Sequence, residues 1–284
     1  MQRRWLPPAG SGKPAVSNPP NSAPVIEVAG SPAPTSREVE LADGKCWAVP
    51  NEVPVAITYN RRNHAVMLAT PDDLADFAIG FSLTEGLIRK MAEIEAIEII
   101  HQAAGVDLHI RLNADRLEHF DLLRRRRTLP GRAGCGLCGL ESAQSLTTPL
   151  PVVAKAPADI REAALAHALE TLADWQPLNA RTRSVHAAAW ARSDGMIEMA
   201  REDVGRHNAL DKLIGALERS RQNRSGGAII MSSRASYEII EKAARAGLPA
   251  VACLSAPTSL AIDKAQQANI RLYARSGGRF VAIS

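Results

Sequence analysis

Apolar residues recur in short blocks along most of the chain, and the arrangement of these blocks differs between its two halves. In the first half, Leu74, Phe77, Ala78 and Phe81 recur at helical spacing, which predicts a helix over residues 74–83. We expect Thr70 to cap this helix. The other predicted elements of this half are strands at residues 53–59, 65–69, 94–100 and 106–112 and a helix at residues 115–127. The first half is therefore predicted to be a small α+β unit.

In the second half, predicted strands and helices alternate. The strands cover residues 187–192, 196–201, 228–231, 250–254, 271–274 and 280–283, and the helices cover residues 208–219, 237–246 and 259–269. Another helix is predicted at residues 158–175. Elements of these lengths indicate a largely parallel sheet with helices on its faces. Ligands bind beyond the carboxyl ends of the strands in such sheets. The predicted fold class is α/β.

Residues 1–36 differ from the rest in composition, because they hold eight of the chain's 18 prolines among Ser, Ala, Gly and Asn. Such a stretch cannot bury enough apolar surface to offset the entropy lost on ordering. We therefore predict a disordered arm at residues 1–36. A small α+β domain at residues 37–130 and an α/β domain at residues 131–284 are expected to follow it.

Composition and charge narrow the choice of partners only slightly. The net charge of +4 and the pI of about 9.0 favour anionic ligands such as phosphorylated cofactors, but only weakly. No apolar run approaches the roughly 20 residues of a membrane span. The start of the chain lacks the apolar region of a secretory signal, so the expected compartment is the cytoplasm. Four cysteines in 284 residues do not make a disulfide framework.

Cys135 and Cys138 stand in the glycine-rich segment GCGLCG, residues 134–139, at the start of the second predicted domain. The segment also fits the dinucleotide pattern G-x-G-x-x-G, but no strand precedes it, so that interpretation is rejected. One C-x-x-C supplies two of the four ligands of a zinc site, and the chain has no H-x-E for a zinc deaminase. Zinc therefore stays a weaker alternative to a reactive thiol pair.

The surroundings of the two cysteines favour reactivity. A helix is expected to begin at about residue 141, and Arg132 lies close in sequence; a helix start and a cation both lower the pKa of a cysteine. Such a pair could cycle between dithiol and disulfide, or one cysteine could carry a persulfide. The residues alone do not separate these alternatives. Cys253, in an apolar strand, is expected to be inert.

A second polar constellation, REDVGRHNALDK at residues 201–212, lies between a predicted strand and a predicted helix. Arg206, His207 and Asn208 can donate to phosphates, so we predict a ligand site there. Two loops that follow predicted strands and open helices also supply donors for anions. Their candidate residues are Ser233, Arg234, Ser255 and Thr258. The other histidines, His186 among them, are expected to be surface or packed residues.

Several of these segments together resemble the formate dehydrogenase accessory sulfurtransferase family, FdhD. The resemblance covers about residues 53–283. It rests on LATPDDLADFAIGFSLTEGLI, GCGLCG, REDVGRHNALDKLIG, SSRASYEIIEKAARAG and SAPTSLAIDKA, which occur in this order along the chain. The sequence departs from the family's pattern at Ser232, where glycine is common.

The resemblance implies a sulfur carrier that receives persulfide sulfur from a cysteine desulfurase. It would pass the sulfur to the molybdenum bis(guanine dinucleotide) cofactor of formate dehydrogenase. The implied bearer is Cys135, with Cys138 as its companion. The implied cofactor contacts near the C terminus are Tyr273, Ala274, Arg275, Ser276, Gly277 and Gly278.

The resemblance also implies a cytidine-deaminase-like three-layer domain beside the smaller α+β domain, and a homodimer in the cytoplasm. The expected partners are the desulfurase, formate dehydrogenase and the cofactor as bound substrate. We expect no tightly held metal of the protein's own, and neither nucleic acid nor a membrane as partner. A dithiol oxidoreductase and a cofactor chaperone without sulfur transfer remain the alternatives.

Overall fold

The computed structural model describes residues 23–126, 149–154, 160–224 and 226–283. The strands are β1 (Val25–Ala29), β2 (Ser36–Glu40), β3 (Cys46–Pro50), β4 (Val53–Tyr59), β5 (Arg62–Ala69), β6 (Ile94–Gln102), β7 (Gly105–Leu112), β8 (His186–Arg192), β9 (Ile197–Asp203), β10 (Gly227–Arg234), β11 (Ala250–Ser255), β12 (Arg271–Ser276) and β13 (Arg279–Ala282). The helices are α1 (Leu74–Thr84), α2 (Ala114–Arg126), α3 (Glu162–Thr171), α4 (Pro177–Thr182), α5 (Arg206–Arg219), α6 (Tyr237–Arg245) and α7 (Ser259–Gln267).

The first half of the chain forms a five-stranded sheet in the order β1-β6-β7-β4-β5, and β2 pairs with β3 as a separate ribbon. The four strands predicted in this half are present. The hairpin between β4 and β5 is tighter than predicted, because Asn60 and Arg61 adopt positive φ angles of 46° and 64° and β5 begins at Arg62. Asn and similar residues tolerate this left-handed conformation in two-residue turns.

The predicted disordered arm is wrong for its last residues, because β1 (Val25–Ala29) pairs in parallel with β6 and extends the first sheet. Ile26 packs against the core of this sheet. The prediction followed the proline content of residues 1–36 and gave no weight to the short apolar run VIEVA. This run forms a strand because β6 offers it a free sheet edge. Residues 1–22 lie outside the described part of the chain. The first sheet therefore begins before residue 37.

The second half forms a six-stranded sheet in the order β13-β12-β11-β10-β8-β9. Only β10, β11 and β12 run parallel to one another, whereas β8, β9 and β13 join by antiparallel pairing. The sheet is thus mixed and not largely parallel as predicted. Two hairpins, β8–β9 and β12–β13, account for the difference, since consecutive strands without a helix between them pair in antiparallel fashion.

Some element boundaries also differ from the prediction. Helix α1 begins at Leu74 after Asp73, which has a φ of 53°, and Thr70 does not cap it. One helix was predicted at residues 158–175. The described residues of this stretch, 160–175, contain α3 and, directly after it, a short 3-10 helix, Leu172–Trp175. Helix α4 was not predicted. Among the described helices, none is long and apolar enough to cross a membrane.

Helices α1 and α5 cross closely and join the two sheets. A Cβ atom added at Gly80 would lie 1.7 Å from the backbone oxygen of Asp211, and one added at Gly215 would lie 1.9 Å from that of Asp76. Both distances are shorter than real contacts, so this crossing requires glycine on both helices. One apolar core continues across it, with Phe77 of α1 and Leu210 of α5 in the same cluster. The crossing fixes the start of α5 relative to the first sheet.

Candidate functional site

The ligand segments predicted in the second half gather at one edge of the six-stranded sheet. Strands β10, β11 and β12 are parallel, so their carboxyl ends meet there. Strand β8 is antiparallel to β10, which brings its first residue, His186, to the same edge, opposite Asp203 at the end of β9. The starts of α5, α6 and α7 follow from this edge. The placement agrees with the expectation that these segments lie beyond the carboxyl ends of the strands.

Asp203 organises the start of α5. Its carboxylate is fully buried and accepts hydrogen bonds from the backbone N–H of Thr70 at 2.9 Å and of Gly205 at 2.8 Å. It also accepts from Asn208 Nδ2 at 3.0 Å and pairs with Lys212 Nζ at 2.7 Å. Lys212 is itself fully buried and donates to the Thr70 carbonyl at 3.0 Å. Thr70 therefore helps to link the two sheets and does not cap a helix.

Other acidic residues of the REDVGRHNALDK segment also have structural partners. Asp211 pairs with Lys242 Nζ at 2.9 Å and accepts a hydrogen bond from Thr84 Oγ1 at 2.7 Å. Burial is the largest single effect and opposes charge on Lys242, but the attraction of Asp211, Glu85 and Glu241 together outweighs it and raises the pKa of this lysine. Glu202 accepts from the first backbone N–H groups of α4, at Leu178 and Asn179, both at 2.8 Å. Most polar residues of the segment therefore have partners within the protein, and a ligand is not needed to account for them.

Asn208, a predicted ligand residue, belongs to this structural set. Its side chain is 3% exposed, and its Nδ2 donates to the Leu68 carbonyl at 2.8 Å as well as to Asp203. Both amide hydrogens are used by these two bonds. Asn208 thus holds the first turn of α5 against β5. Its amide nitrogen has no hydrogen left to offer a ligand.

Arg206 differs from its neighbours, because its Nε is buried and has no hydrogen-bond partner in the described part of the chain. His207 and Ser236, the residue just before α6, interact with Glu238 instead. His207 Nε2 lies 3.8 Å from Glu238 Oε2, and hydrogen bonding with His207, and secondarily with Ser236, lowers the pKa of Glu238 to about 2. Buried donors without acceptors are rare in folded proteins, so Arg206 Nε marks the best candidate ligand site.

His186 adds a titratable group that sequence reasoning missed. Burial lowers its pKa, and the positive charges of Arg206 and His207 lower it further. Nothing in the sequence around His186 distinguishes it, because only the antiparallel register of β8 brings it near α5. Ser236 had one usable signal, namely its position directly before the predicted helix at residues 237–246. The resulting cluster contains His186, Arg206, His207, Ser236 and Glu238.

The remaining predicted residues are spread along the same edge. Ser233 and Arg234 belong to β10 and not to a loop, and the Ser232 hydroxyl there accepts a hydrogen bond from Ala187 N at 2.8 Å. Ser255 ends β11 and is exposed. Thr258 caps α7, accepting from Ala261 N at 3.4 Å. Their hydroxyls therefore lie at the edge, but two of them already have partners: Ser233 donates to the Arg234 carbonyl at 3.2 Å, and Thr258 caps α7.

The predicted C-terminal cofactor segment falls into two parts. Tyr273 is 7% exposed and packs with Phe280 in the core, and Ala274 is also buried. Arg275 and Ser276 are exposed at the end of β12. Gly277 and Gly278 form the turn to β13 with φ angles of 56° and 86°. In this structure the exposed half, Arg275–Gly278, is the part that a ligand can reach.

The cysteine segment, with Cys135 and Cys138, lies outside the described residues. Within residues 23–126, 149–154, 160–224 and 226–283, no group of three or more His, Cys, Asp or Glu residues could hold a metal ion. Cys253 is fully buried in β11, and burial raises its pKa to about 12. This confirms that Cys253 is a buried core residue, and its lack of reactivity stays a prediction, whereas Cys46 is exposed on β3.

These features define an α/β protein whose mixed sheet carries a candidate anion site at its carboxyl edge. The model of the FdhD/NarQ family matches residues 50–283. The chain belongs to this family. It is 48% identical over 221 residues to the sulfur carrier protein FdhD of Xanthomonas euvesicatoria pv. vesicatoria, covering 78% of each chain. It is 45% identical over 224 residues to the sulfur carrier protein FdhD of Bordetella petrii, covering 79% of this chain and 80% of that one.

The fold is also that of a solved structure. A crystal structure of a candidate formate dehydrogenase accessory protein from Desulfotalea psychrophila is similar, with a TM-score of 0.65 and 23% sequence identity. The similarity covers 88% of this chain and 97% of that one. At this identity the likeness concerns the fold. It shows that the mixed α/β architecture described above occurs in a known protein.

Proposed function

We propose that this chain is a sulfur carrier that serves formate dehydrogenase, with Cys135 as the bearer of a persulfide. The relatives named as sulfur carriers, at 45–48% identity, support the reaction class. The observation that supports a bound phosphorylated substrate is Arg206 Nε, a buried guanidinium nitrogen without a hydrogen-bond partner among the described residues. The substrate is the molybdenum bis(guanine dinucleotide) cofactor, whose phosphates suit such donors.

The chemistry of the carrier can be written in balanced steps. The Cys135 thiolate attacks the terminal sulfur of a cysteine desulfurase persulfide, and the desulfurase leaves as a thiolate. Cys135 then bears the sulfane sulfur. Attack of the Cys138 thiolate on Cys135 Sγ releases that sulfur as hydrosulfide and leaves a disulfide, which a thiol reductant restores. In this scheme Cys138 is the resolving residue and supplies the electrons for release.

The architecture proposed for the α/β unit is cytidine-deaminase-like. Strand order β9-β8-β10-β11-β12, with an edge hairpin followed by three parallel strands joined through helices, supports this assignment. A homodimer in the cytoplasm is part of the same proposal. Arg275, Ser276, Gly277 and Gly278 are proposed as further cofactor contacts, since they are exposed at the same edge. Arg234 and Ser255 are proposed as supporting donors there.

The test is persulfide mapping. The full chain is incubated with a cysteine desulfurase and cysteine, and bound sulfane sulfur is located by mass spectrometry. We expect it on Cys135, and we expect Cys135→Ala to lose it. Cys46→Ala is the matched control, since Cys46 is exposed but lies on the β2–β3 ribbon. Undiminished sulfur in Cys135→Ala would overturn the assignment.

A second measurement addresses the alternatives. Activation of formate dehydrogenase is compared between the wild type and the Cys135→Ala/Cys138→Ala variant. We expect the variant to leave formate dehydrogenase inactive. Full activation by it would favour a cofactor chaperone without sulfur transfer. Catalytic reduction of a disulfide substrate by the wild type, without bound sulfane sulfur, would favour a dithiol oxidoreductase.

A further inference from the structure

Helix α2 ends in a run of arginines. Arg124, Arg125 and Arg126 occupy its last turn, and Arg127 follows them in the sequence. The chain has 34 Lys and Arg residues against 30 Asp and Glu residues, so without these four arginines the two kinds of charge would be equal in number. The whole excess of positive charge in the protein therefore corresponds to one short run.

The stability of α2 does not account for this run. The dipole of a helix places only about half an elementary charge at its C-terminal end, so one or two cations suffice to offset it. An acid three or four residues earlier in a helix can also pair with an arginine. At these spacings from the arginines of the last turn the sequence offers one acid, Asp121, which already pairs with Arg62 on β5. The charge of the run thus exceeds what its own helix can neutralise.

The helix that carries the run has a fixed place in the fold. Phe120 is fully buried in the core, and Arg116 donates from Nε and Nη2 to the Leu87 carbonyl at 3.0 Å and 2.9 Å. Cys135 comes nine residues after Arg126. A residue of extended chain spans at most about 3.6 Å, so Cys135 is within about 32 Å of the end of α2 by any path. A protein bound at the end of α2 is therefore within reach of the proposed sulfur bearer.

The chemistry of the proposed function points to one class of partner for this charge. Loading of Cys135 requires that a persulfide on another protein contacts its thiolate, so the donor protein docks close to the end of α2. Clustered positive charge speeds and orients association with an acidic surface. A nucleic acid would need basic residues spread over a wider face, whereas the charges in the rest of the chain balance.

We propose that Arg124, Arg125 and Arg126 form a docking site for an acidic surface on the protein that donates persulfide sulfur to Cys135. The inference rests on the proposed function, because it assigns a contact for the loading step of that function. It separates two charged regions of the chain. The substrate is assigned to Arg206 at the carboxyl edge of the six-stranded sheet, and the donor protein is assigned to the end of α2.

The test is single-turnover loading of the full chain. The rate at which sulfane sulfur appears on Cys135 is measured at increasing concentrations of a cysteine desulfurase supplied with cysteine. Arg124→Gln/Arg125→Gln/Arg126→Gln removes three charges and keeps good helix formers. We expect this variant to need about tenfold more desulfurase for half-maximal loading at low salt, with an unchanged maximal rate. The difference should nearly vanish at about 0.5 M salt, where the Debye length is only about 4 Å.

Two controls separate docking from other effects of charge. Arg37→Gln/Arg89→Gln/Arg161→Gln removes three exposed arginines from other parts of the chain and changes the net charge equally. We expect this control to load like the wild type. Iodoacetamide is a small neutral reagent that needs no docking site. We expect it to alkylate Cys135 at the same rate in the wild type and in both variants.

Four results would overturn the docking site. The first is wild-type loading kinetics in the Arg124→Gln/Arg125→Gln/Arg126→Gln variant, and the second is an equal loss in the control variant. The third is slower alkylation of Cys135 in the first variant, because the run would then act on the pKa of the thiol. The fourth is normal loading with weaker binding of diguanosine diphosphate, a diphosphate diester, which would assign the run to the substrate.

The proposed function is judged separately in the same experiment. If the wild type carries no sulfane sulfur on Cys135 at any desulfurase concentration, the function fails and the docking site fails with it. If the wild type and the Arg124→Gln/Arg125→Gln/Arg126→Gln variant load alike, the function stands and only the docking site is lost.

Discussion

Replacing Lys212 by methionine should strongly destabilise the protein. Lys212 is fully buried and makes two contacts, with Asp203 at 2.7 Å and with the carbonyl of Thr70 at 3.0 Å. Methionine has a similar length and fits an apolar site, so the variant removes the charge with little change in volume. It leaves the Asp203 carboxylate buried with three hydrogen-bond donors but no counter-charge.

The expected loss can be estimated from these contacts. Removing one partner of a buried ion pair costs about 3–5 kcal/mol, because the other charge is left uncompensated. The three remaining donors to Asp203 stabilise its charge and place the estimate toward the lower end of this range. Domains are typically stable by about 5–15 kcal/mol, so even about 3 kcal/mol is a large share. We therefore expect Lys212→Met to shift the unfolding midpoint clearly.

Urea unfolding followed by circular dichroism measures this loss. Lys45→Met is the control, because Lys45 and Asp43 form an ion pair at 2.9 Å with side chains 77% and 53% exposed, and we expect no measurable change. Asp203→Asn in the Lys212→Met background should recover part of the stability, since it removes the buried charge and keeps an acceptor. A loss in Lys212→Met no larger than in Lys45→Met would refute the reasoning, as would strict additivity in the double variant.

Three further predictions concern packing, pH and thiol chemistry. Gly80→Ala should destabilise the α1–α5 crossing severely or prevent folding, because its Cβ would meet backbone at 1.7 Å, whereas Gly226→Ala, with open space around it, should unfold like the wild type. An anion bound near His186 would offset the cationic charges that lower its pKa, so that pKa should rise on binding. Binding should then take up protons and tighten as the pH falls toward 6 or so, where free imidazoles titrate. Calorimetry in buffers of different ionisation enthalpy should show this uptake, and His186→Gln should abolish it. A thiol reagent should modify Cys46 in the folded protein and Cys253 only after unfolding, since the latter is buried; early labelling of Cys253 would contradict this.

Local patterns in the sequence predicted most of the secondary structure, because apolar spacing directly reflects which face of an element is buried. Helices α1 and α5 follow from such spacing. The exceptions share a cause, which is that distant contacts decided the local structure. Strand β1 forms because β6 offers an edge to pair with. Helix α4 starts with a proline, and Glu202, more than 20 residues away, accepts hydrogen bonds from its first turn.

The candidate site was only partly predictable for a related reason. Sequence reasoning found the polar segment around Arg206 but could not separate its structural residues from those open to a ligand. Asn208 and Arg206 are both good hydrogen-bond donors by type. Only the fold shows that Asn208 is committed to Leu68 and Asp203, while Arg206 Nε has no partner among the described residues. Ser236 and His186 reach the site through strand register and helix packing, which no spacing rule reveals.

The contacts that hold the two sheets together also position the proposed ligand donors. Asp203 fixes Gly205 and Asn208 on either side of Arg206 and His207, and it is itself held by Thr70 from the first sheet. The orientation of the first turn of α5 therefore depends on the junction between the sheets. Any change that loosens this junction should weaken anion binding without touching a ligand donor. Lys212→Met should consequently lose affinity for a diphosphate diester even under conditions where it stays folded, whereas Lys45→Met should not.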